Sequence, residues 1–318
     1  MQSDYNNTPI MNSNFIISYI FLSHVLLHVH ADVSAQNCDY KVRDTRKSIT
    51  HEQAKSIYNK FAIEGHIGGK DASSGYGGPA VKSLLSMADF GVCDPDDIGH
   101  GDGDGTSDVE VQRVFEYGCG QGKLAELVLG MNHANENANA NANVHWHGVD
   151  QSPEMVSKFQ QRLESFQSSS SSSSVTLMKN GNPNSIIQTV PANHYHRFVS
   201  TYCLDLLSEE DMHSVLTLAE HCLRPKDGKL LLAGITYGYG FRGDASSFKT
   251  FCMTLAWEIM YRIRPDVVGG CRPQCLRPYL EERGWEIEEE VRTSPVGFPW
   301  MVSEVISARR SRSNSSSI

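Results

Sequence analysis

Apolar residues change their spacing repeatedly from about residue 109 onward, and these changes predict strands that alternate with helices. Short runs rich in Val, Ile, Leu, Phe and Trp are typical of strands, whereas apolar residues three and four positions apart are typical of amphipathic helices. Seven strands are predicted, at residues 111–117, 144–150, 175–178, 197–203, 229–235, 285–291 and 302–308. Because helical segments separate most of the first five strands, we expect an α/β fold with a doubly wound, mostly parallel sheet.

The last two predicted strands are separated by ten residues, which include Pro295, Gly297 and Pro299. Such a short and broken connection leaves no room for the crossover helix that parallel neighbours need. We therefore expect these two strands to pair antiparallel, with a reversed final strand at the edge of the otherwise parallel sheet.

Two helices are predicted before the first strand of the sheet. Thr50 and Gln53 fit a capping box at the start of one helix, and Pro79 suits the first turn of the other. Residues 65–78 between the helices hold six glycines among fourteen residues, too many for regular structure. This arrangement predicts an N-terminal helical cap with a glycine-rich lid that carries Tyr76; a long solvated connection is the alternative.

The first strand of the sheet ends in an acid, Glu116, and leads directly into three alternating glycines, Gly118, Gly120 and Gly122. Glycines at a turn from strand to helix allow a ligand to approach the bare backbone. The spacing is not that of a dinucleotide-binding loop, because Lys123 stands where such a loop has its third glycine. It is also not that of a loop for nucleoside triphosphates. A glycine-rich turn that binds nothing is the alternative to a ligand site.

The pattern acid-x-G-x-G-x-G at the end of a first strand resembles motif I of the class I S-adenosylmethionine-dependent methyltransferases. The antiparallel final strand is also similar to the sheet of that family. The resemblance covers roughly residues 58–309, and it implies a Rossmann-like seven-stranded sheet with S-adenosylmethionine as the cofactor. The motif residues that it places at the cofactor are Glu116, Gly118, Cys119, Gly120 and Gly122.

Two further strand ends extend the predicted cofactor site. Asp150 ends the second strand and is followed by Gln151, also expected at the site. Two carboxylate oxygens are suited to accept from the two hydroxyls of a ribose, which is the role of the matching acid in the family. After the third strand, many members of the family place an acid that bonds the adenine amino group. Asn182 stands there in this chain, and its amide oxygen is still an acceptor.

The acceptor side of the predicted site is less defined. Tyr76 in the lid and Tyr237 after the fifth strand are the predicted walls of the acceptor pocket. A sulfonium methyl group is already activated, so several kinds of acceptor need mainly alignment and exclusion of water. We assign no catalytic residue from the sequence. The candidates for a base are His66, His194, His196 and Asp205.

Composition narrows the class of partner. The 318-residue chain has a net charge of −9 at pH 7, which argues against nucleic acid as the main partner because phosphate binding needs a basic surface. The eight cysteines are scattered, and we expect them to be structural. His145 and His147 alternate along a strand without a third ligand, so we expect strand surface and no metal site.

The first forty residues differ in character from the rest of the chain. Residues 15–29 form a near-continuous apolar run that suits a signal peptide, although no Lys or Arg precedes it. A signal would direct the chain to the secretory pathway or an organelle; without one, the cytoplasm is expected. An uncleaved anchor is the alternative, and any membrane association is expected only through this run.

The predicted division of the chain has four parts. They are a signal or targeting segment (1–40), a helical cap with lid and acidic linker (41–108), the methyltransferase-like domain (109–310) and a disordered tail (311–318). The sequence favours an S-adenosylmethionine-dependent methyltransferase that acts on a small molecule. Two alternatives stay open: a non-catalytic partner protein that binds the same cofactor, and, less favoured, a nicotinamide-dependent oxidoreductase.

Overall fold

A computed structural model describes residues 49–64, 78–90, 111–134, 144–166, 174–236, 248–293 and 302–311. The helices are α1 (His51–Glu64), α2 (Pro79–Ala88), α3 (Lys123–Ala134), α4 (Pro153–Phe166), α5 (Pro183–Ile186), α6 (Glu209–Cys222), α7 (Phe248–Ile263) and α8 (Arg277–Glu282). The strands are β1 (Gln112–Tyr117), β2 (Val144–Asp150), β3 (Ser174–Lys179), β4 (Arg197–Thr201), β5 (Lys229–Thr236), β6 (Trp285–Thr293) and β7 (Val302–Arg310).

Several predicted features lie outside the described residues and stay predictions. They are the targeting segment (1–40), the lid with His66 and Tyr76, the acidic linker, Tyr237 and the tail beyond residue 311. Within the described ranges, no helix is long and apolar enough to cross a membrane.

The seven strands form one sheet in the order β3-β2-β1-β4-β5-β7-β6. The first five strands run parallel, and β7 pairs antiparallel with both β5 and β6. The structure confirms the predicted doubly wound, mostly parallel sheet with an antiparallel last strand. The expectation that the last strand lies at the edge is wrong, since β6 takes that position.

Burial explains why β7 lies inside the sheet. Val305, Ile306 and Ala308 of β7 are fully buried, which is typical of a central strand covered on both faces. By contrast, β6 exposes Glu286 and Glu289. Charged side chains suit a free edge because they discourage pairing with another chain.

Apolar side chains cover both faces of the sheet, because successive residues of a strand point to opposite sides. On one face, residues such as Phe115 and Phe198 pack against α6 and α8. On the other face, their strand neighbours Val114 and Val199 pack against α2, α3 and α4. The core therefore consists of two layers with the sheet between them.

Helix starts coincide with the capping signals in the sequence. Thr50 N donates to Gln53 Oε1 at 2.8 Å, and Gln53 N donates to Thr50 Oγ1 at 3.2 Å, which is the predicted capping box of α1. Ser208 caps α6 by accepting from Asp211 N at 3.1 Å. These bonds satisfy donors that the first helical turn leaves unpaired.

The strand order reverses its direction of growth at β1, with β2 and β3 on one side and β4 and β5 on the other. In open α/β sheets, ligands bind in the crevice beyond the carboxyl ends of the strands at such a point. The residues that follow β1, β2 and β4 therefore form the candidate site.

Candidate functional site

The loop after β1 needs its three glycines for two different reasons. Gly118, Gly120 and Gly122 all have positive φ, at 75°, 52° and 74°. A Cβ on Gly118 would meet the Cys203 thiol, and one on Gly122 would overlap the Phe159 ring. A Cβ on Gly120 would meet none of the residues that the structure describes within 4 Å. Gly118 and Gly122 therefore permit packing, whereas Gly120 borders open space.

Hydrogen bonds fasten this loop to the end of β2. Gly118 N and Cys119 N both donate to Val149 O, at 2.8 and 3.0 Å. Gly120 N donates to Asp150 Oδ2 at 2.9 Å. The backbone N–H groups at the first three positions of the loop are thus bonded within the protein, and the Asp150 carboxylate lies directly beside the open space at Gly120.

Asp150 is partly exposed and uses both carboxylate oxygens. Oδ1 accepts from Ser152 N at 2.8 Å, and Oδ2 accepts from Gly120 N. Burial raises the pKa of Asp150, while these two backbone bonds act in the opposite direction. Each carboxylate oxygen has a second lone pair, so Asp150 is still able to accept from two hydroxyl groups.

Gln151 and the segment after β3 lie together on the far side of Asp150. A Cβ on Gly181 would overlap the Gln151 side chain, and Tyr117 Oη donates to Gly181 O at 2.7 Å. Asn182 is exposed, and its Oδ1 accepts from Asn184 N at 3.0 Å as the N-cap of α5. The structure therefore brings Gln151 beside the predicted adenine segment, and it gives the Asn182 amide a capping role as well.

Glu116 lies in the interior. Its side chain is 1% exposed, and Oε2 accepts from Trp146 Nε1 at 2.9 Å, joining β1 to β2. Burial raises the pKa of Glu116 from 4.5 to about 8. The carboxyl is therefore mainly neutral at pH 7, and it does not reach the surface of the loop as a ligand contact requires. The Cys119 side chain is also buried.

Beyond β4 lies a cluster of polar groups next to the glycine loop, of which Asp205 and Cys271 are buried. Cys203, which contacts Gly118, is near Asp205, and Asp205 is near the Cys271 thiol. Asp205 is 1% exposed, and its Oδ2 accepts from Ile235 N at 3.3 Å. Burial raises the pKa of Asp205 to about 7. Asp205 is the candidate base that the described structure places at the carboxyl ends of the strands.

His194 and His196 are misplaced for a base. Both precede β4 and so lie at its amino end, whereas the site is at the carboxyl end. Five residues of strand separate the two ends, which is about 16 Å. His196 Nδ1 accepts from Arg113 N at 2.9 Å, a structural role. The structure therefore does not bring either of these two candidates to the carboxyl ends of the strands.

His147 also differs from the expectation of strand surface. It is 9% exposed, and its Nδ1 shares a 2.6 Å hydrogen bond with Tyr195 Oη. Burial lowers the pKa of His147 to about 4. Among the residues that the structure describes, no group of three His, Cys, Asp or Glu side chains is placed to hold a metal ion.

Sequence reasoning missed the contribution of α1 to the site. Asn59 Oδ1 accepts from Ser152 Oγ at 2.6 Å, and Tyr58 Oη lies 3.9 Å from Cys271 Sγ. The capping box predicts that α1 exists, but no local signal reports that the helix packs against both sides of the site.

Comparisons with known proteins support the fold. No protein-family model matches the chain, and no curated protein matches it significantly. The structure is similar to that of an S-adenosylmethionine-dependent methyltransferase from Anabaena variabilis, with a TM-score of 0.50 and 11% identity over 86% of this chain and 100% of that one. This similarity shows that the chain has the fold of an S-adenosylmethionine-dependent methyltransferase.

Two more distant matches are methyltransferase structures with bound S-adenosylhomocysteine. A magnesium protoporphyrin IX methyltransferase from Synechocystis has a TM-score of 0.43 and 16% identity, over 86% of this chain and 93% of that one. An N-methyltransferase from Bradyrhizobium japonicum has a TM-score of 0.42 and 14% identity, over 72% of this chain and 84% of that one.

Proposed function

We propose that this chain is a methyltransferase that uses S-adenosylmethionine and acts on a small molecule. The observation that carries the proposal is the arrangement at the ends of β1 and β2. Gly120 borders open space, and the Asp150 carboxylate is bonded to the N–H of that same glycine. A carboxylate with spare lone pairs beside open backbone suits a ribose.

The residues present fit the cofactor. Asp150 would bind the ribose hydroxyls, and Gln151 with the segment around Asn182 would border the adenine, since Asn182 Oδ1 keeps a second lone pair beyond its capping bond. The open backbone at Gly120 would face the remainder. Glu116 would support the loop through its bond to Trp146 and not through a contact with the cofactor.

The place of the methyl acceptor follows from the place of the cofactor. When bound, the cofactor supplies an activated methyl group, so the protein has mainly to align the acceptor and exclude water. The cluster of Cys203, Asp205 and Cys271 lies at the end of β4, beside the glycine loop. Asp205 has a pKa of about 7, but its carboxyl is as buried as that of Glu116, so we assign it no direct contact with the acceptor. The net charge of −9 favours a small molecule over a nucleic acid.

Two other functions are distinguishable from this one. A nicotinamide-dependent enzyme needs a third glycine where this loop has Lys123. A non-catalytic partner protein would bind the cofactor without any turnover. Comparing the binding of S-adenosylhomocysteine and NAD tests the nicotinamide-dependent alternative. Methyl transfer from labelled S-adenosylmethionine to a panel of small molecules tests the non-catalytic alternative.

Calorimetry with S-adenosylhomocysteine and NAD tests the cofactor assignment. We expect S-adenosylhomocysteine to bind and NAD not to bind comparably. Asp150→Ala should weaken binding by about 1.5–3 kcal/mol, the range for hydrogen bonds to a charged group. Glu164→Ala, which removes an exposed acid of α4, is the matched control and should leave binding unchanged. Unchanged affinity in a folded Asp150→Ala protein would remove the ribose assignment.

A further inference from the structure

Helix α1 is attached to the cofactor side of the site by a partly buried hydrogen bond. Ser152 is fully buried, and its hydroxyl donates to Asn59 Oδ1 at 2.6 Å while accepting from Met155 N at 3.2 Å. Asn59 therefore fixes the direction of the Ser152 hydroxyl hydrogen, which leaves the oxygen lone pair free to cap α4. Ala62 of α1 packs against Met155 nearby.

The same serine is bonded to the proposed ribose carboxylate. Ser152 N donates to Asp150 Oδ1 at 2.8 Å, and Asp150 Oδ2 accepts from Gly120 N at 2.9 Å. A continuous chain of hydrogen bonds thus runs from Asn59 on α1 through Ser152 and Asp150 to the glycine loop. Ser152 bonds Asn59 through its hydroxyl and Asp150 through its backbone N–H, so a shift of this residue disturbs both bonds.

The other attachments of α1 are on the acceptor side. Tyr58, the neighbour of Asn59, places its hydroxyl 3.9 Å from Cys271 Sγ and near Asp205 and Cys203. Just before the helix, Ile49 N donates to Tyr261 Oη at 3.1 Å. Two consecutive residues of α1 therefore contact the two sides of the site.

Few buried apolar side chains hold α1 in place. Among its side chains that the structure describes, Ala54 and Ala62 are the buried apolar ones, whereas Ile63 is 74% exposed. An element with little buried apolar surface opens locally at a smaller free energy than the core. The partly buried Ile57 and Tyr58 pack against Ala62 and Met155, and the hydrogen bond of Asn59 adds to these contacts.

We propose that Asn59 is a positioning residue that couples cofactor binding to the placement of Tyr58 over the acceptor side. This inference rests on the proposed function. A ribose bound to Asp150 restrains the carboxylate, the carboxylate restrains Ser152, and Ser152 holds Asn59 and with it α1. Such coupling is reciprocal: the factor by which bound cofactor favours the docked position of α1 is also the factor by which docked α1 favours cofactor binding. Loss of the docked position therefore weakens cofactor binding by up to that factor.

Hydrogen exchange across residues 51–64, with and without saturating S-adenosylhomocysteine, tests the coupling. In the unaltered protein we expect the ligand to slow exchange in α1 several-fold, while α6, which lies on the face of the sheet opposite α4, stays unchanged. In Asn59→Ala the protection of α1 should be lost at saturation. Ser56→Ala, an exposed position of the same helix, is the matched control and should keep the protection.

A ligand comparison distinguishes positioning from general damage. Asn59→Ala should weaken S-adenosylhomocysteine binding roughly 2- to 10-fold, the equivalent of one neutral hydrogen bond. Affinity for the 2′-deoxy analogue should fall less, because part of the contact through Asp150 is already missing. Equal losses for both ligands, or ligand binding without protection of α1, would overturn the inference. Failure of the unaltered protein to bind S-adenosylhomocysteine would instead overturn the proposed function.

Discussion

Replacing Glu116 by glutamine tests whether the acid of the glycine motif is a buried neutral group. The carboxyl is 1% exposed and accepts from Trp146 Nε1 at 2.9 Å. Burial raises the pKa of Glu116 from 4.5 to about 8. Glutamine keeps the shape and an acceptor oxygen but cannot ionise. The substitution therefore separates the effect of charge from that of packing.

The pKa sets the size and direction of the effect. One pKa unit corresponds to about 1.4 kcal/mol, so a rise from 4.5 to about 8 corresponds to about 5 kcal/mol. Because the folded state has the higher pKa, the folded protein binds more protons than the unfolded chain between these values. Stability from this group is therefore complete below pH 4.5 and is lost as the pH rises through about 8. At pH 7 the loss is about 3 kcal/mol.

Urea unfolding at about pH 5, 7 and 9 measures this effect. We expect Glu116→Gln to gain stability relative to the unaltered protein as the pH rises, by about 4 kcal/mol over that range. Glu286→Gln makes the same change at an exposed position of β6 and should show no such gain. The affinity for S-adenosylhomocysteine should stay unchanged in both variants. Parallel stability curves for Glu116→Gln and the unaltered protein would refute the buried neutral carboxyl.

Two further predictions use matched pairs of substitutions. Gly120→Ala should fold, at a loss of about 1–2 kcal/mol in the free energy of unfolding for a left-handed backbone. It should weaken S-adenosylhomocysteine binding in calorimetry, because its methyl group enters the open space. Gly122→Ala should mainly destabilise the fold, because its methyl group overlaps the buried Phe159 ring. Equal effects of both on binding and stability would contradict this division. Arg292→Ala should cost about 3–5 kcal/mol in urea unfolding because it leaves the buried Glu304 without its cation. Removal of the exposed Arg264 should leave the free energy of unfolding nearly unchanged. A small effect of Arg292→Ala would show that Glu304 is satisfied by its other bonds.

Regular features of the fold were predictable because they depend on neighbours in the sequence. Apolar spacing predicts each of the seven strands, and Thr50 and Pro79 predict where the first two helices begin. The broken connection before the last strand also predicts its antiparallel pairing. The spacing of apolar residues does not contain the order of the strands in the sheet, so the inner position of β7 was not predicted.

In the candidate site too, features set by neighbours in the sequence were predictable, whereas features set by distant contacts were not. Asp150 is the last residue of β2, so its place at the carboxyl end of the sheet was predictable. The interior position of Glu116 depends on Trp146, thirty residues away, whose Nε1–H donates a hydrogen bond to it from the neighbouring strand β2. His196 has the chemistry of a base but lies at the wrong end of β4. The bond between Asn59 and Ser152 joins residues 93 positions apart, and no local pattern reports it.

The most direct test of the account is a crystal structure of the protein with S-adenosylhomocysteine. We expect the ribose hydroxyls within hydrogen-bond distance of the Asp150 carboxylate and the ligand chain over the backbone of Gly120. The adenine should lie between Gln151 and the segment around Asn182, with the sulfur directed towards Cys203. Ligand bound at any other place, or no ligand density at saturating concentration, would contradict the proposed cofactor site.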